Sequence, residues 1–469
     1  GIVLTLGMAV DANVLIYERI REELSAGKNM KQALKDGYGN AMSAIIDANV
    51  TTILTGIILA YFGTGPIKGF ATTLIIGILC SLLTAIFVSR LIFDLYSKSE
   101  GFEKLTFSTK LSENWFKNVK FDFIGKSKPY LMAAFGVIIV AIVSLFAIGL
   151  QQGIDFSGGR NYTVKFEKDV TTGEVKDLLD NAFDGANASV ITIGSADQVR
   201  ISTNFRIHDT EDDVDADIES RLYNSLKPIL NNGVSEDMFV NRYVVNDGVA
   251  SLADAQSEVT YGIQSSQKVG PTMADDIKIS AVIAVLIAML GIGLYIFLRF
   301  SRIAYSGGAL LALAHDTLFI LLLYCILPLT GVVPFSLEVD QSFIAAILTV
   351  IGYSINDKVV IFDRIREFIR NRKGADFNKQ DVFNSAISST LSRTFSTSLS
   401  TLIVLVIIFF FGGETIRGFI FAMLIGVIVG TYSSIFIAAP FACKYYSAKA
   451  DEDEEAKRIE KEKRLAERA

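Results

Sequence analysis

The chain has 469 residues, of which 51% are hydrophobic and only 20% charged, with a net charge of −6, and its mean hydropathy is +0.42. That is too apolar for a water-soluble protein of this length, and the apolar residues come in long runs, so the class is a polytopic α-helical membrane protein. Cys80, Cys325 and Cys443 all fall in apolar runs, where cysteine acts as a small hydrophobe, so neither a structural disulfide nor a zinc site is expected. Residue 1 already lies inside an apolar run, without an initiator methionine, and the sequence therefore reads as the C-terminal part of something larger.

A membrane span needs about 20 mostly apolar residues. Nine stretches qualify: 1–17, 41–62, 70–96, 130–150, 277–298, 304–327, 341–362, 391–411 and 416–445. Short connections, FGTGPIKGF and FGGETIRGF, turn the second and third spans, and the last two, into helical hairpins. Segments 18–35, 98–128, 299–302 and 363–379 are rich in Lys and Arg and fall on one side if the spans alternate. The positive-inside bias makes that side cytoplasmic. The charged tail, 447–469, falls there too and reads as a solvated helix without an assigned role.

The opposite side carries one insertion, 151–275, with 21 acidic against 10 basic residues. Strands are expected at 161–166, 189–193, 199–204, 239–244 and 258–263, with helices at 174–183 and 214–230. The order βαββαβ is the ferredoxin-like split. The lone His208, beside an acidic run, reads as a solvated loop residue rather than a metal ligand.

The stretch GMAVDANVLIYERIREEL at 7–24 returns as GYSINDKVVIFDRIREFI at 352–369, with seven of eighteen positions identical. The order of span, basic loop and hairpin follows each copy. Parallel repeats of this kind mark transporters whose site lies at the repeat interface. Each copy carries a carboxylate in its apolar run, Asp11 or Asp357, at a cost of roughly 2.5–3.5 kcal/mol even on lenient insertion scales. In strict register Asp11 aligns with Asn356, and Asp357 with Ala12, so the second carboxylate is turned about 100° around its helix.

At 1.5 Å per residue, Asp11 and Asp357 lie about 10 Å and about 9 Å inside their charge clusters. Asp47 lies roughly 22 Å from the outer end of its span, which places it at a similar depth. Three acids at one level form a polar layer that Asn13, Asn49, Asn356, Ser354, Ser396 and Thr397 are placed to line. Such a layer lets a carboxylate take up and release a proton near neutral pH, as a relay requires. The alternative is that the acids only hold helices together.

Arg393, in TLSRTFSTSLSTL, is placed to meet the layer from the neighbouring hairpin or to snorkel to the interface, and Lys358 reads as snorkelling. His315 and Asp316 lie about 18 Å into their span. Being adjacent, they point about 100° apart and are not expected to face one neighbour, so one of them bridges helices or takes part in proton movement. The chain lacks GxxxxGK[ST], HExxH, CxxC and nucleophile-elbow motifs, so no cofactor, metal or hydrolytic activity is expected. Nucleic-acid binding has no basic, aromatic-interleaved patch to support it.

The first repeat copy resembles the signature of SecD, and GIDFSGGRNY, VGPTMADDIK, ALAHDTLF, IGYSINDKVVIFDRIRE and TLSRTFSTSLSTL resemble successive signatures of SecF. The resemblance covers most of 1–446 and implies the C-terminal half of a fused SecDF protein of the resistance-nodulation-division superfamily. The implied architecture is about nine transmembrane helices in two pseudo-symmetric repeats, with one ferredoxin-like α+β extracytoplasmic domain. Its parts would be SecD-like helices (1–97), a cytoplasmic linker (98–129), a first SecF-like span (130–150), a periplasmic domain (151–275), a SecF-like bundle (276–446) and the cytoplasmic tail (447–469).

The function implied is that of a non-enzymatic, multi-pass protein of the bacterial cytoplasmic (inner) membrane, in contact with lipid. Such a protein uses protons to assist the Sec translocon channel SecYEG and the SecA motor in exporting preproteins, with YajC and a YidC-like insertase as further partners. Asp11 and Asp357 would be its proton-pathway carboxylates and Arg393 their essential partner, with protonation of Asp357 breaking its pairing to Arg393. The rival readings are a proton-coupled small-molecule or lipid exporter of the same superfamily, and a scaffold that conducts nothing.

Overall fold

The computed structural model describes residues 2–63, 65–99, 102–107, 116, 121–180, 182–184, 188–193, 195–209, 211, 213–231, 233–246, 249–252, 259–333, 335–371 and 378–446. The expected tail, 447–469, and parts of the linker lie outside these residues.

The first helices are α1 (Ile2–Ser25), α2 (Met30–Phe62), α3 (Gly65–Leu83) and α4 (Ser89–Tyr96), the last two joined by a π turn at Thr84–Val88. After α5 (Ser127–Ala147) and the short α6 (Ile154–Ser157) come β1 (Gly159–Lys165), α7 (Thr172–Leu179), β2 (Ala188–Thr192), β3 (Gln198–Thr203) and α8 (Val214–Leu226). Then follow α9 (Glu236–Val240), β4 (Tyr243–Asn246), β5 (Val249–Leu252) and β6 (Gly262–Val269). The remaining helices are α10 (Pro271–Phe300), α11 (Ile303–Thr330), α12 (Gln341–Asn371), α13 (Lys379–Phe411), α14 (Glu414–Ser433) and α15 (Ala439–Tyr445), with a second π turn at Ser434–Ala438.

Eight helices among the described residues are long and apolar enough to cross a membrane. The ninth expected span, α1, is absent from that set for a simple reason: every 18-residue window in it contains Asp11, Glu18 and Arg19. It nevertheless packs within the bundle, burying Leu4, Leu15, Ile16 and Ile20. Leu6, Leu91, Phe146, Leu290 and Phe410 are exposed, the apolar belt that a bilayer would cover. Helix α12 is central: 94% of its apolar window is buried, against 17% for α5.

The repeat is carried through in three dimensions. α2 and α13 are both 33 residues long, each starting at an Asn N-cap (Asn29, Asn378) that spares a free backbone N–H and each ending at a glycine. Because of those caps the two helices begin about a dozen residues before the expected spans, through polar sequence that hydropathy alone leaves as loop. The π turns recur at equivalent places. A pseudo-two-fold axis parallel to α1 and α12 brings equal positions to equal heights, so equivalent residues near the axis meet each other. Phe70 and Phe419, equivalent in the two repeats, stack edge-on with centroids 5.4 Å apart.

Gly7 and Gly352 open the two copies and face equivalent residues of the opposite repeat, Val404 and Thr55. A Cβ on Gly7 would sit 3.4 Å from Val404, an ordinary contact, whereas one on Gly352 would collide with the Thr55 hydroxyl. Gly352→Ala is therefore expected to destabilise the protein by about 1–3 kcal/mol as overpacking, and Gly7→Ala to be near neutral. Thermal unfolding of both variants in detergent checks this, and the opposite order would contradict the packing.

In the α/β domain the sheet order is β2-β3-β1-β6, antiparallel throughout, the ferredoxin-like arrangement. Alternation puts Tyr162 and Val164 of β1 and Val199 and Ile201 of β3 into a core closed by α7 and α8 through Val175, Leu179, Ile218 and Leu222. The late strands differ from expectation. Residues 236–240 form a helix capped by Ser235, β4 and β5 make a separate hairpin, and the last strand begins at Gly262. His208 lies exposed in a turn.

Candidate functional site

Within the bundle, α12 sends three polar groups in three directions. Toward α1 it presents Asn356, whose side-chain amide donates to Asp11 Oδ2. These two are register partners, so the contact lies on the pseudo-two-fold axis. Asp11 Oδ1 lies 3.6 Å from Arg393 Nη2. The expected partner of Arg393 was Asp357, but its ion pair is with Asp11. The reason is the turn of about 100° between the two carboxylates, which points Asp357 away from α1.

Asp357 faces α13 and α14, where it accepts a long hydrogen bond, 3.5 Å, from Thr431 Oγ1. That hydroxyl is itself 2.6 Å from Ser398 Oγ. Among the described residues Asp357 has no ion-pair partner, although it is buried.

On the third side Lys358 is fully buried, with its side chain 0% exposed, and pairs with Asp316 Oδ2 at 3.1 Å. It does not snorkel, because the central α12 offers no way to the interface. Ser354 and Ser433 each donate to the same carboxylate at 2.8 Å. His315 Nδ1 lies 3.3 Å from Asp316 Oδ1. The adjacent pair thus also touches, edge to edge.

Asp47 is not part of this layer. Arg299 Nε donates to it at 2.6 Å and Tyr295 OH at 2.8 Å, which ties α2 to α10. Asn13 and Asn49 donate to carbonyls of their own helices, as do Ser396 and Thr397. Ser398, Tyr353, Thr401, Thr431 and Ser433 take the lining roles that sequence reasoning missed. The one signal that could have revealed part of this was Ser354 and Lys358 at i, i+4, sharing a face of α12.

Beside Asp11 lies a cavity of about 30 Å³ walled by Asn49, Thr52, Tyr353, Asn356 and Arg393, large enough for a water molecule. Asp11 Oδ1, Asn13 Oδ1, Asn356 Oδ1 and Arg393 Nε and Nη1 are buried without hydrogen-bond partners in the protein. Among the described residues no group of three His, Cys, Asp or Glu side chains is placed to hold a metal ion.

The α/β domain is fastened to the outer end of α12. Gly153 N–H donates to Val339 O at 3.0 Å and Val339 N–H to Gln151 O at 2.7 Å. Asp155 Oδ2 accepts the N–H of Gln341, the first residue of α12, at 3.1 Å, and Ser189 of β2 donates to Glu338 at 3.3 Å. Inside the domain, Arg160 is 2% exposed and pairs with Asp215 at 2.5 Å.

The family model for the C-terminal part of protein export membrane proteins SecD/SecF matches residues 1–99 and 250–448. A second, for the SecD/SecF GG motif, matches residues 143–170. The chain belongs to the SecD/SecF family. It is 32% identical over 462 residues to protein translocase subunit SecDF of Bacillus subtilis (strain 168), covering 94% of this chain and 55% of that protein. With protein translocase subunit SecF of Rhodothermus marinus it shares 36% identity over 326 residues, 69% of this chain and 93% of the relative. The crystal structure of SecDF, a translocon-associated membrane protein from Thermus thermophilus, superposes with a TM-score of 0.75 at 30% identity, over 94% of this chain and 54% of that one. The chain thus spans about half the length of the SecDF relatives it matches. It is a multi-pass membrane protein.

In SecD/SecF terms the fastening at α12 is made by the GG-motif segment. Asp340, just before α12, caps it by accepting Phe343 N–H at 2.8 Å. Burial pushes its carboxyl up to about 6, and the negative charges of Asp155 and Glu338 add to this, with Arg200 of β3 opposing them. A carboxyl whose folded pKa lies above its unfolded one stabilises fully below the unfolded value and loses that contribution as pH rises through the folded value. Hydrogen-exchange protection of residues 341–343 is therefore expected to fall between about pH 4 and about pH 6.5 and to level off above, and Asp340→Asn to flatten the change. A pH-independent wild type would contradict this.

Proposed function

We propose that this chain is the proton-responsive part of a SecDF-type auxiliary of protein export. It would sit in the bacterial inner membrane with the α/β domain on the periplasmic side and the Arg-rich helix ends in the cytoplasm. One observation carries this reading. With His315 neutral, the layer holds three carboxylates, the half-buried Asp11 and the buried Asp316 and Asp357, against two cations, Arg393 and Lys358. A buried charge without a partner is costly, so one proton is needed to balance the layer, and the acid without an ion pair, Asp357, is where it goes.

Loss of that proton leaves Asp357 as a second anion competing with Asp11 for Arg393. Moving the guanidinium between them shifts α1 against α12, and α12 carries the shift to the domain fastened at its outer end. This is a two-state element biased by one proton. The work done would be assistance to a translocating preprotein at SecYEG and SecA, with YajC and a YidC-like insertase as companions. The test is preprotein release from vesicles holding the full-length protein, with and without a proton gradient. Gradient-dependent release lost with Asp357→Asn supports the proposal, and release unchanged by that substitution or by the gradient sinks it.

A further inference from the structure

Asp11, Leu15, Glu18 and Glu22 share one face of α1, at steps of four, three and four residues. Their register partners Asn356, Val360, Asp363 and Glu367 share the matching face of α12, and the two faces meet along the pseudo-two-fold axis. Beyond the Asp11 cavity lies a second one of about 30 Å³, toward the Arg-rich ends of the helices. Its walls include Leu15, Glu18, Glu22, Asp363, Arg364 and Arg393, and Leu15 and Arg393 are shared with the first. Arg393 is thus the partition between two spaces, each with room for about one water molecule.

Its far end is closed by four residues identical in both repeats. Arg19 donates to Glu367 at 3.1 Å, and Arg364 donates to Glu22 at 2.8 Å. Each arginine also binds the glutamate of its own helix, at 2.9 Å and 3.0 Å. The exchange is reciprocal across the axis, which explains why these positions carry the same residues twice.

Glu18 stands at the edge of this space, 21% exposed and bonded to Arg21 at 3.3 Å. Ser392, the neighbour of Arg393, donates to it at 3.3 Å. Its register partner Asp363 is bonded to Arg366 at 3.3 Å in the same way and is also drawn toward Arg299, 3.9 Å away.

We infer that the second cavity is the half-channel through which the proton leaves the layer, that Glu18 is the carboxylate that receives it, and that the Arg19–Glu367 and Arg364–Glu22 pairs are the gate at its mouth. This rests on the relay proposed for Asp11 and Asp357. Glu18 is seven residues from Asp11, about 10 Å along the helix, too far for direct transfer. Asp11, the layer acid that lines the first cavity, takes up the proton given up by Asp357 and passes it to the oxygen of a water there, and a proton of that water passes to a Glu18 oxygen. Arg393 keeps its protons and only moves aside. Glu18 then releases the proton to bulk water when the clasp opens.

The test is proton flux into liposomes holding the full-length protein, made cysteine-free, with a pH-sensitive dye inside and an imposed gradient. Glu18→Gln is expected to slow flux tenfold or more, and Glu18→Asp to restore most of it. The pair Arg19→Cys with Glu367→Cys, which removes half the clasp, is expected to raise flux, and bridging the two thiols with a bismaleimide to stop it. Full flux in Glu18→Gln, or in the bridged protein, overturns the inference. Full flux in Asp357→Asn instead overturns the relay beneath it, which separates the two failures.

Discussion

Asp357→Asn is expected to reduce gradient-dependent preprotein release at least tenfold while leaving the protein folded. Asparagine keeps the shape of the side chain and an oxygen for the Thr431 hydroxyl that Asp357 binds. It changes only the charge that the site can carry. With a permanently neutral side chain there, the layer stays balanced by the Asp11–Arg393 and Asp316–Lys358 pairs alone, and no second anion ever competes for Arg393. Asp11→Asn differs in kind, because it leaves a buried guanidinium without its carboxylate. It should lose both function and stability, since breaking a buried pair on one side costs about 3–5 kcal/mol. Unfolding in detergent, measured beside release for both variants, separates the two effects.

Lys358→Met is expected to cost stability as heavily, at about 3–5 kcal/mol. Asp316 would remain almost wholly enclosed, with two serine hydroxyls and a histidine around it but no cation. Removing both charges, with Asp316→Leu and Lys358→Met together, should recover most of that loss, because an apolar pair of similar volume carries no desolvation cost. Since Ser354, Ser433, Lys358 and His315 already engage Asp316, its role is read as joining α11, α12 and α14. The double variant should therefore keep gradient-dependent release. If it folds but loses release as completely as Asp357→Asn, Asp316 belongs to the relay. Chemical unfolding and the release assay together decide this.

Sequence reasoning reached the architecture because its signals are one-dimensional. Long apolar runs mark helices, the 7–24 and 352–369 copies mark the repeat, and alternation with helical spacers marks the βαββαβ domain. The displacement of Asp357 from Asp11 by one position was also legible, and it accounts for Arg393 pairing with Asp11 alone. What sequence could not supply was each helix's place in the bundle. Lys358 reads as snorkelling until α12 is known to be the central helix. Asp47 reads as a member of the layer until Arg299, from a helix some 250 positions away, is found bonded to it. Depth along a helix was legible, but direction around it depends on neighbours chosen by packing. The late strands were misplaced because a Ser-capped turn of helix at 236–240 interrupts an apolar stretch that otherwise reads as strand. The equal-position contacts, Asp11 with Asn356 and the Arg–Glu exchange, follow from the two-fold relation between the repeats and become visible only once the copies are paired in space.

The most direct test of the account is to observe the proton itself. Difference infrared spectra of the full-length protein in membranes, carrying Asp340→Asn to remove the buried carboxyl that titrates at about 6 and recorded as pH is lowered, should show the carbonyl band of a buried carboxylic acid. The account predicts that this band is missing in Asp357→Asn and present in Lys358→Met with Asp316→Leu. A band unchanged in Asp357→Asn would contradict it, because the exchangeable proton would then reside on another acid.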